Sequence, residues 1–294
     1  VFGPFGVFVG VFVGVFVGVF GGVPVLTRST RDIPRATRWA RAAWRPLLTV
    51  AAVLAAWAVV SGLGLVAGYL LPTPAATWHK LVENAPYLWS ASVITTAETL
   101  AGFVVAVVLG LAAALVMAFS PRLEGSVYPI IVFAQVVPKI AVAPLFVVWL
   151  GFGFSPKVLM AALIAFFPVV VAGFTGLKSI DHDLIDLAAT MTASRLRVFT
   201  RFRFPSALPF IMSGLKVAVT LAVTGAVVGE FVGADSGLGY VILEANGNID
   251  TAMLYAALIM LSLIGVVLFL LVDLAERLLM PWHSSRRAAS VTAY

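Results

Sequence analysis

The chain has 294 residues, 62% of them hydrophobic and 11% charged, with a net charge of +6 and no cysteine. A water-soluble domain of this length carries about a quarter charged residues to cover its surface, so a soluble globule is excluded. So are disulfide frameworks, thiol nucleophiles and cysteine metal sites.

The apolar residues form runs of roughly 20, long enough to cross a hydrocarbon core as helices and unlike the alternating strands of a barrel. The expected class is an all-α, multi-pass membrane protein. Residues 1–25 read as a low-complexity extension, in which Val11-Phe12-Val13-Gly14 and Val15-Phe16-Val17-Gly18 repeat with a four-residue period. Its glycines have the spacing of a helix-pairing face, but Val, Phe and Gly are poor helix formers, and no functional role is expected for it. Residues 26–45 form a basic cytosolic segment with Trp39 and Trp44 as interfacial anchors.

Six spans follow within residues 46–282. The first is expected over Pro46–Leu70, then an external stretch Leu71–Trp89 with a short amphipathic helix. The second covers Ser92–Phe119 and leads through an internal turn, Pro121–Gly125, to a third over Val127–Leu150 that Pro138 and Pro144 break. The fourth, Lys157–Leu177, enters a long basic loop, 178–206; the fifth spans Ala207–Val232. An external loop with Asp235, Glu244 and Asp250 precedes the sixth, Thr251–Val272, and residues 283–294 are a cytosolic tail.

Charge placement orients these spans. Arg28, Arg31, Arg35, Arg38, Arg41 and Arg45 precede the first; Lys178, Arg195, Arg197, Arg201 and Arg203 share one loop; Arg277, Arg286 and Arg287 lie near the end. The external loops hold only Lys80 and Lys157. Basic residues at alternate loops put both termini inside, and the positive charge is thereby assigned to the membrane rather than to nucleic acid.

The loop 178–206 is too patterned for a connector. Asp186 and Leu187 precede Ala188 and Ala189; Thr192 and Ala193 follow, and a basic amphipathic stretch leads to Phe202, Phe204 and Pro205. Small residues at 188, 189, 192 and 193 allow a partner surface to approach closely, and Pro205 is expected to end the helix and turn the chain back to the membrane. These residues resemble the cytoplasmic signature of the permease family of binding-protein-dependent ABC importers, Glu-Ala-Ala, then Gly, then Ile-x-Leu-Pro. Ala188 and Ala189 stand at the alanines and Thr192 at the glycine, with nine residues between it and the Phe202-Arg203-Phe204-Pro205 close. Leu187 departs from the glutamate, although Asp186 adjoins it, and Thr192 departs from the glycine.

Gln135-Val136-Val137-Pro138-Lys139, Ala143-Pro144-Leu145 and Trp149-Leu150-Gly151-Phe152-Gly153 are similar to the third span of the nitrate, sulfonate, taurine and thiamine-pyrimidine subgroup. Gly229-Glu230-Phe231 and Ser236-Gly237-Leu238-Gly239-Tyr240 resemble the stretch after its fifth. The resemblance implies a permease subunit in a bacterial inner (plasma) membrane. It would import a small polar or anionic solute, of the nitrate, sulfonate and taurine kind or of the pyrimidine vitamin-precursor and riboflavin kind. Separate ABC ATPase subunits would dock on the loop and hydrolyse ATP, an external solute-binding protein would deliver the solute, and a second permease copy would complete the pore.

Lys139, an ionisable residue between prolines inside a span, is a functional candidate by default. It is grouped with Gln135, Pro138, Pro144 and Glu230 as a translocation path. Lys216 is expected to snorkel to the inner headgroups, Glu98 and Glu230 to sit at the outer interface, and Asp273 and Glu276 to be solvated. Gly62-Leu63-Gly64 lies in an apolar run with no preceding strand, which excludes a dinucleotide fingerprint. Asp181-His182-Asp183 are adjacent and cannot all face one metal on a helix. No Walker A sequence occurs, so the chain is read as a non-enzyme with no bound cofactor. An ion-coupled secondary transporter is the alternative, but the mid-span acids and histidines it favours are not expected here.

Overall fold

The computed structural model describes residues 35–180 and 194–280. Its regular elements are α1 (Arg35–Gly62), α2 (Pro74–Glu83), α3 (Ala85–Phe119), α4 (Pro121–Ala134), a 3-10 turn (Lys139–Val142), α5 (Ala143–Leu150), α6 (Phe154–Lys178), α7 (Arg195–Val198), a π-helical turn (Phe199–Arg203), α8 (Phe204–Gly233), α9 (Leu238–Gly247) and α10 (Thr251–Leu279). Among the described residues there is no strand.

Four helical stretches are long and apolar enough to cross a membrane: α3, α6, Leu196–Gly233 and α10. The expected third span is the pair α4 and Lys139–Leu150, bent by 88°. The expected first span ends earlier than its hydropathy suggested: α1 stops at Gly62 rather than running to Leu70, after which the chain turns and the Trp57 indole donates to the Pro72 carbonyl at 2.9 Å. Two other boundaries move. The second span already begins at Ala85, and the turn expected over Pro121–Gly125 is helical, because Ser120 caps α4 and Pro121 occupies its first turn.

The centre of the second compact unit, residues 79–294, is α6, which packs most extensively on α8 and α3. Small side chains line this seam: Ala106, Ala161, Ala165, Val169, Ala218, Ala222 and Ala226, none more than 2% exposed. Gly102 and Gly225 both face Ala161, and a Cβ added at Gly225 would lie 2.6 Å from the Ala161 Cα. In lipid, helices gain little from hiding apolar surface, so close backbone approach through small residues supplies the association.

The short helix α9 is a satellite of this core. Leu238, Val241, Ile242 and Ala245 fall on one face at helical spacing, and the first three are packed with Leu88 and Ala91 of α3 and Ala256 and Ala257 of α10. Asp250 caps α10 by accepting from the Met253 N–H at 3.0 Å and pairs with Lys80 of α2 at 2.9 Å.

Pro205 does not end a helix. It sits in the first turn of α8, and the chain is helical from Arg195 through to Gly233. A proline lacks the N–H for the usual bond and its ring crowds the carbonyl four residues back. The π-helical turn before it relieves that conflict: the Phe204 N–H donates to Phe199 O, five residues back rather than four.

Candidate functional site

The sequence-predicted residues fall in three places. Gln135, Pro138, Lys139 and Pro144 are brought together at the bend between α4 and α5. Pro138 precedes the 3-10 turn in an extended conformation (φ −63°, ψ 93°) and Pro144 begins α5, so the two prolines separate the helical segments without leaving a ring inside either. Gln135, Pro138 and Pro144 are exposed and Lys139 is half-buried. The Lys139 ammonium donates to the Gln135 carbonyl at 3.1 Å and stands 4.8 Å from the centre of the Phe167 ring. A cation held by one carbonyl dipole and a ring face keeps N–H capacity for a further acceptor. Gly151, at φ +75°, then turns the chain from α5 to α6 in a conformation open to glycine.

Of the docking loop, Asp186, Leu187, Ala188, Ala189, Thr192 and Ala193 lie outside the described residues, as do Asp181, His182 and Asp183. Phe202, Phe204 and Pro205 are described. Around them Phe199 packs on Phe119 of α3, with ring centres 5.3 Å apart, and on Phe204, 6.0 Å away. Leu177, Ala207 and Ile211 form a buried cluster behind this segment, with Phe199 against it. Lys178, where the loop begins, is ion-paired with Glu124 of α4. The loop is thus clasped at both its ends by the inner parts of α3, α4 and α6.

Glu230 is not part of the bend. It belongs to a buried polar cluster that sequence reasoning missed. Glu98, Lys157 and Glu230 are each 2% exposed or less, so Lys157, expected in an external loop, is a buried residue of α6, and the two glutamates expected at the outer interface are shielded inside the bundle. The Lys157 ammonium donates to Glu98 Oε1 at 2.7 Å, joining α6 to α3. Glu98 and Glu230 adjoin one another. The Lys157–Glu98 charges persist in this setting because they are paired, since an isolated one is expensive in lipid. Thr95 completes the group: its hydroxyl donates to Glu230 Oε1 at 2.6 Å and accepts from the Leu238 N–H at 2.8 Å. Glu230 Oε2 accepts from the Gly239 N–H at 2.5 Å.

A second set of ions ties α8 to α10 further along the bundle. Lys216 pairs with Asp273 at 2.5 Å and with Glu276, and Arg277 pairs with Asp273 at 2.7 Å. Lys216 therefore does more than snorkel, and Asp273 and Glu276 are partnered rather than merely solvated.

A broken apolar hairpin, a basic loop clasped at its ends and paired charges inside the bundle suit a transport subunit. The family described as binding-protein-dependent transport system inner membrane component matches residues 106–283, more than half of the chain. The chain belongs to that family. It is an inner-membrane permease of the ABC importer type for small solutes.

Among its relatives, the permease is 38% identical to a probable ABC transporter permease protein of Haemophilus influenzae, over 78% of this chain and 94% of that protein. It is 34% identical to the formylaminopyrimidine transport permease protein ThiX of Halalkalibacterium halodurans, over 74% of this chain and 88% of that one. In fold, the permease is similar to a chain of the MetNI methionine ABC transporter in an inward-facing conformation. The TM-score is 0.58 and the identity 20%, over 65% of this chain and 95% of that chain. The ion-coupled alternative finds no support in these matches.

Proposed function

We propose that this permease imports a small polar solute by alternating access, driven by a separate ATPase that docks on the loop around Ala188 and Ala189. The observation that carries this reading is the family match, which extends across the loop and into the last span. ATP-driven closure of two ATPase subunits would move the docked loops, and each loop leads through Phe199–Arg203 directly into α8. The aromatic contacts of Phe199 pass the same displacement to α3. A rigid connection of this kind lets a bistable bundle switch between inward and outward access. Two permease copies would enclose the pore, with an external solute-binding protein above, and ATP hydrolysis belongs to the partner subunits.

For the solute, we favour the pyrimidine vitamin-precursor class over sulfonates. The Gln135–Leu145 run resembles the vitamin-type members, which carry pyrimidine precursors or riboflavin, and a relative at 34% identity is named for a formylaminopyrimidine. Gln135 and Lys139 at the bend offer the donors that such a polar ring requires.

The docking claim is tested with Ala189→Arg and Ala189→Ser. Forcing bulk into a packed interface costs about 1–3 kcal/mol, and a buried unpaired charge adds to it. Ala189→Arg is expected to insert normally but to lose the ATPase subunit on purification, whereas Ala189→Ser keeps it. A cysteine at position 193 should crosslink to one in the ATPase groove. Retention of the ATPase by Ala189→Arg, with no crosslink from position 193, would reassign the loop to the membrane surface.

A further inference from the structure

The Thr95–Glu230 group does something the transport reading leaves unassigned: it replaces the cap that α9 lacks. Helix α9 begins after Gly237 with no side-chain cap of its own. The first amides of any helix are unsatisfied unless something outside the helix accepts them. Here the Leu238 N–H is taken by Thr95 of α3 and the Gly239 N–H by Glu230 of α8.

The sequence around the group is shaped to admit the carboxylate. Gly237 has φ +105°, and a Cβ there would run into Glu230 Oε1; a Cβ at Gly239 would lie 2.6 Å from Glu230 Oε2. Glycine at both positions is what brings α9 down onto the acid. The Lys157–Glu98 pair next to Glu230 adds α6 to the same junction.

We propose that Thr95 and Glu230 are positioning residues that latch the external helix α9 to the outer parts of α3 and α8, so that α9 moves with these spans as a rigid piece of the outer gate. The proposal rests on the importer reading for the movement but not for the latch. Apolar packing of Leu238, Val241 and Ile242 already holds one face of α9. The latch adds a fixed distance and angle at its N-terminal end.

The absence of native cysteine makes a distance measurement direct. Nitroxides are placed at Leu243 of α9 and Phe231 of α8, both exposed. Labelled chain is diluted in an excess of unlabelled chain, so that a complex carries one labelled copy, and distances are read by pulsed EPR in the permease–ATPase complex, without nucleotide and after trapping with ATP and vanadate. The parent is expected to give one narrow distribution, unchanged between the two states. Thr95→Val keeps the side-chain shape but removes the acceptor; it should broaden the distribution and raise amide exchange at Leu238–Val241 at least tenfold. Thr95→Ser should restore both. If Thr95→Val disturbs folding, Glu230→Met, which has no strong acceptor for the Gly239 N–H, is measured in its place, with the same broadening expected.

Distributions as narrow in Thr95→Val and Glu230→Met as in the parent would overturn the latch, leaving apolar packing alone to hold α9. A narrow nucleotide-free distribution that shifts on trapping would overturn the rigid movement. If a reporter pair across α4 and α6 shows no change on trapping in the parent, the importer reading itself fails, while the nucleotide-free comparison still decides the latch.

Discussion

The seam of α3, α6 and α8 and the bent arm of α4 and α5 are built from equally apolar sequence, yet they solve opposite problems. In the seam, alanines and glycines allow backbones to touch, and Ala161, Ala165, Ala218, Ala222 and Ala226 are wholly buried. On the arm, Val136, Val148 and Phe152 are 77%, 78% and 81% exposed. The seam is completed within one chain; the arm is left to lipid or to the second copy proposed above. The ions follow the opposite pattern to hydropathy. Lys157 is buried and paired, whereas Lys139 sits on the arm and bonds to a carbonyl of its own turn. Paired buried ions join helices, and a cation with no carboxylate partner among the described residues is the better candidate for meeting a solute.

Substitutions that exchange these roles sharpen the contrast. The largest effect is expected for Lys157→Met, which leaves Glu98 and Glu230 adjoining without their cation. Removing one partner of a buried pair costs about 3–5 kcal/mol, to be read from unfolding in detergent, and Lys157→Met combined with Glu98→Gln should recover part of the loss. A change below about 1 kcal/mol, the scale of exposed pairs, would show that water reaches this cluster. Next comes Gly225→Leu, which forces side-chain volume against the Ala161 backbone; overpacking of this kind costs about 1–3 kcal/mol. The same substitution at Gly125, which has open space around it, is the control and should be nearly silent. The smallest stability effect belongs to Lys139→Met, within about 0.5 kcal/mol as for surface changes generally, while uptake falls several-fold. Normal uptake by this variant would remove the bend from the translocation path.

Much of this molecule was legible in the sequence because hydropathy and charge are read residue by residue. The apolar runs located α3, α6, α8 and α10, and Pro138 and Pro144 marked the break of the third span. What escaped depends on distant residues. Nothing local distinguishes Lys157 from a loop lysine; only the partner 59 positions earlier, Glu98, makes its burial tolerable. The pairing of Glu230 with α9 was similarly hidden, although Gly229-Glu230 and Gly237-Leu238-Gly239 had been singled out by resemblance. The glycines were the available signal, since two of them flanking one leucine at a helix start imply a close neighbour. Pro205 misled for a local reason. A proline normally stops a helix, and only a widened turn before it, invisible in composition, carries the helix through.

The contact between Lys80 and Asp250 has a consequence in terms of proton linkage. The hydrogen bond and charge of Asp250 hold the Lys80 ammonium above its usual 10.5. Burial works to raise Asp250, but the Lys80 bond and the Met253 N–H outweigh it and hold the carboxyl below its usual 3.8. An acid with a depressed folded value gives its stabilisation in full above the unfolded value and loses it as pH falls through the folded one; a base with a raised value does the reverse at the alkaline end. The pair therefore keeps its full strength from about pH 4 to about pH 10. Both side chains are about a third exposed, so that strength is below about 1 kcal/mol. On the face that charge placement assigns to the outside, the tie between α2 and the start of α10 is thus indifferent to acidification of the surroundings over several pH units.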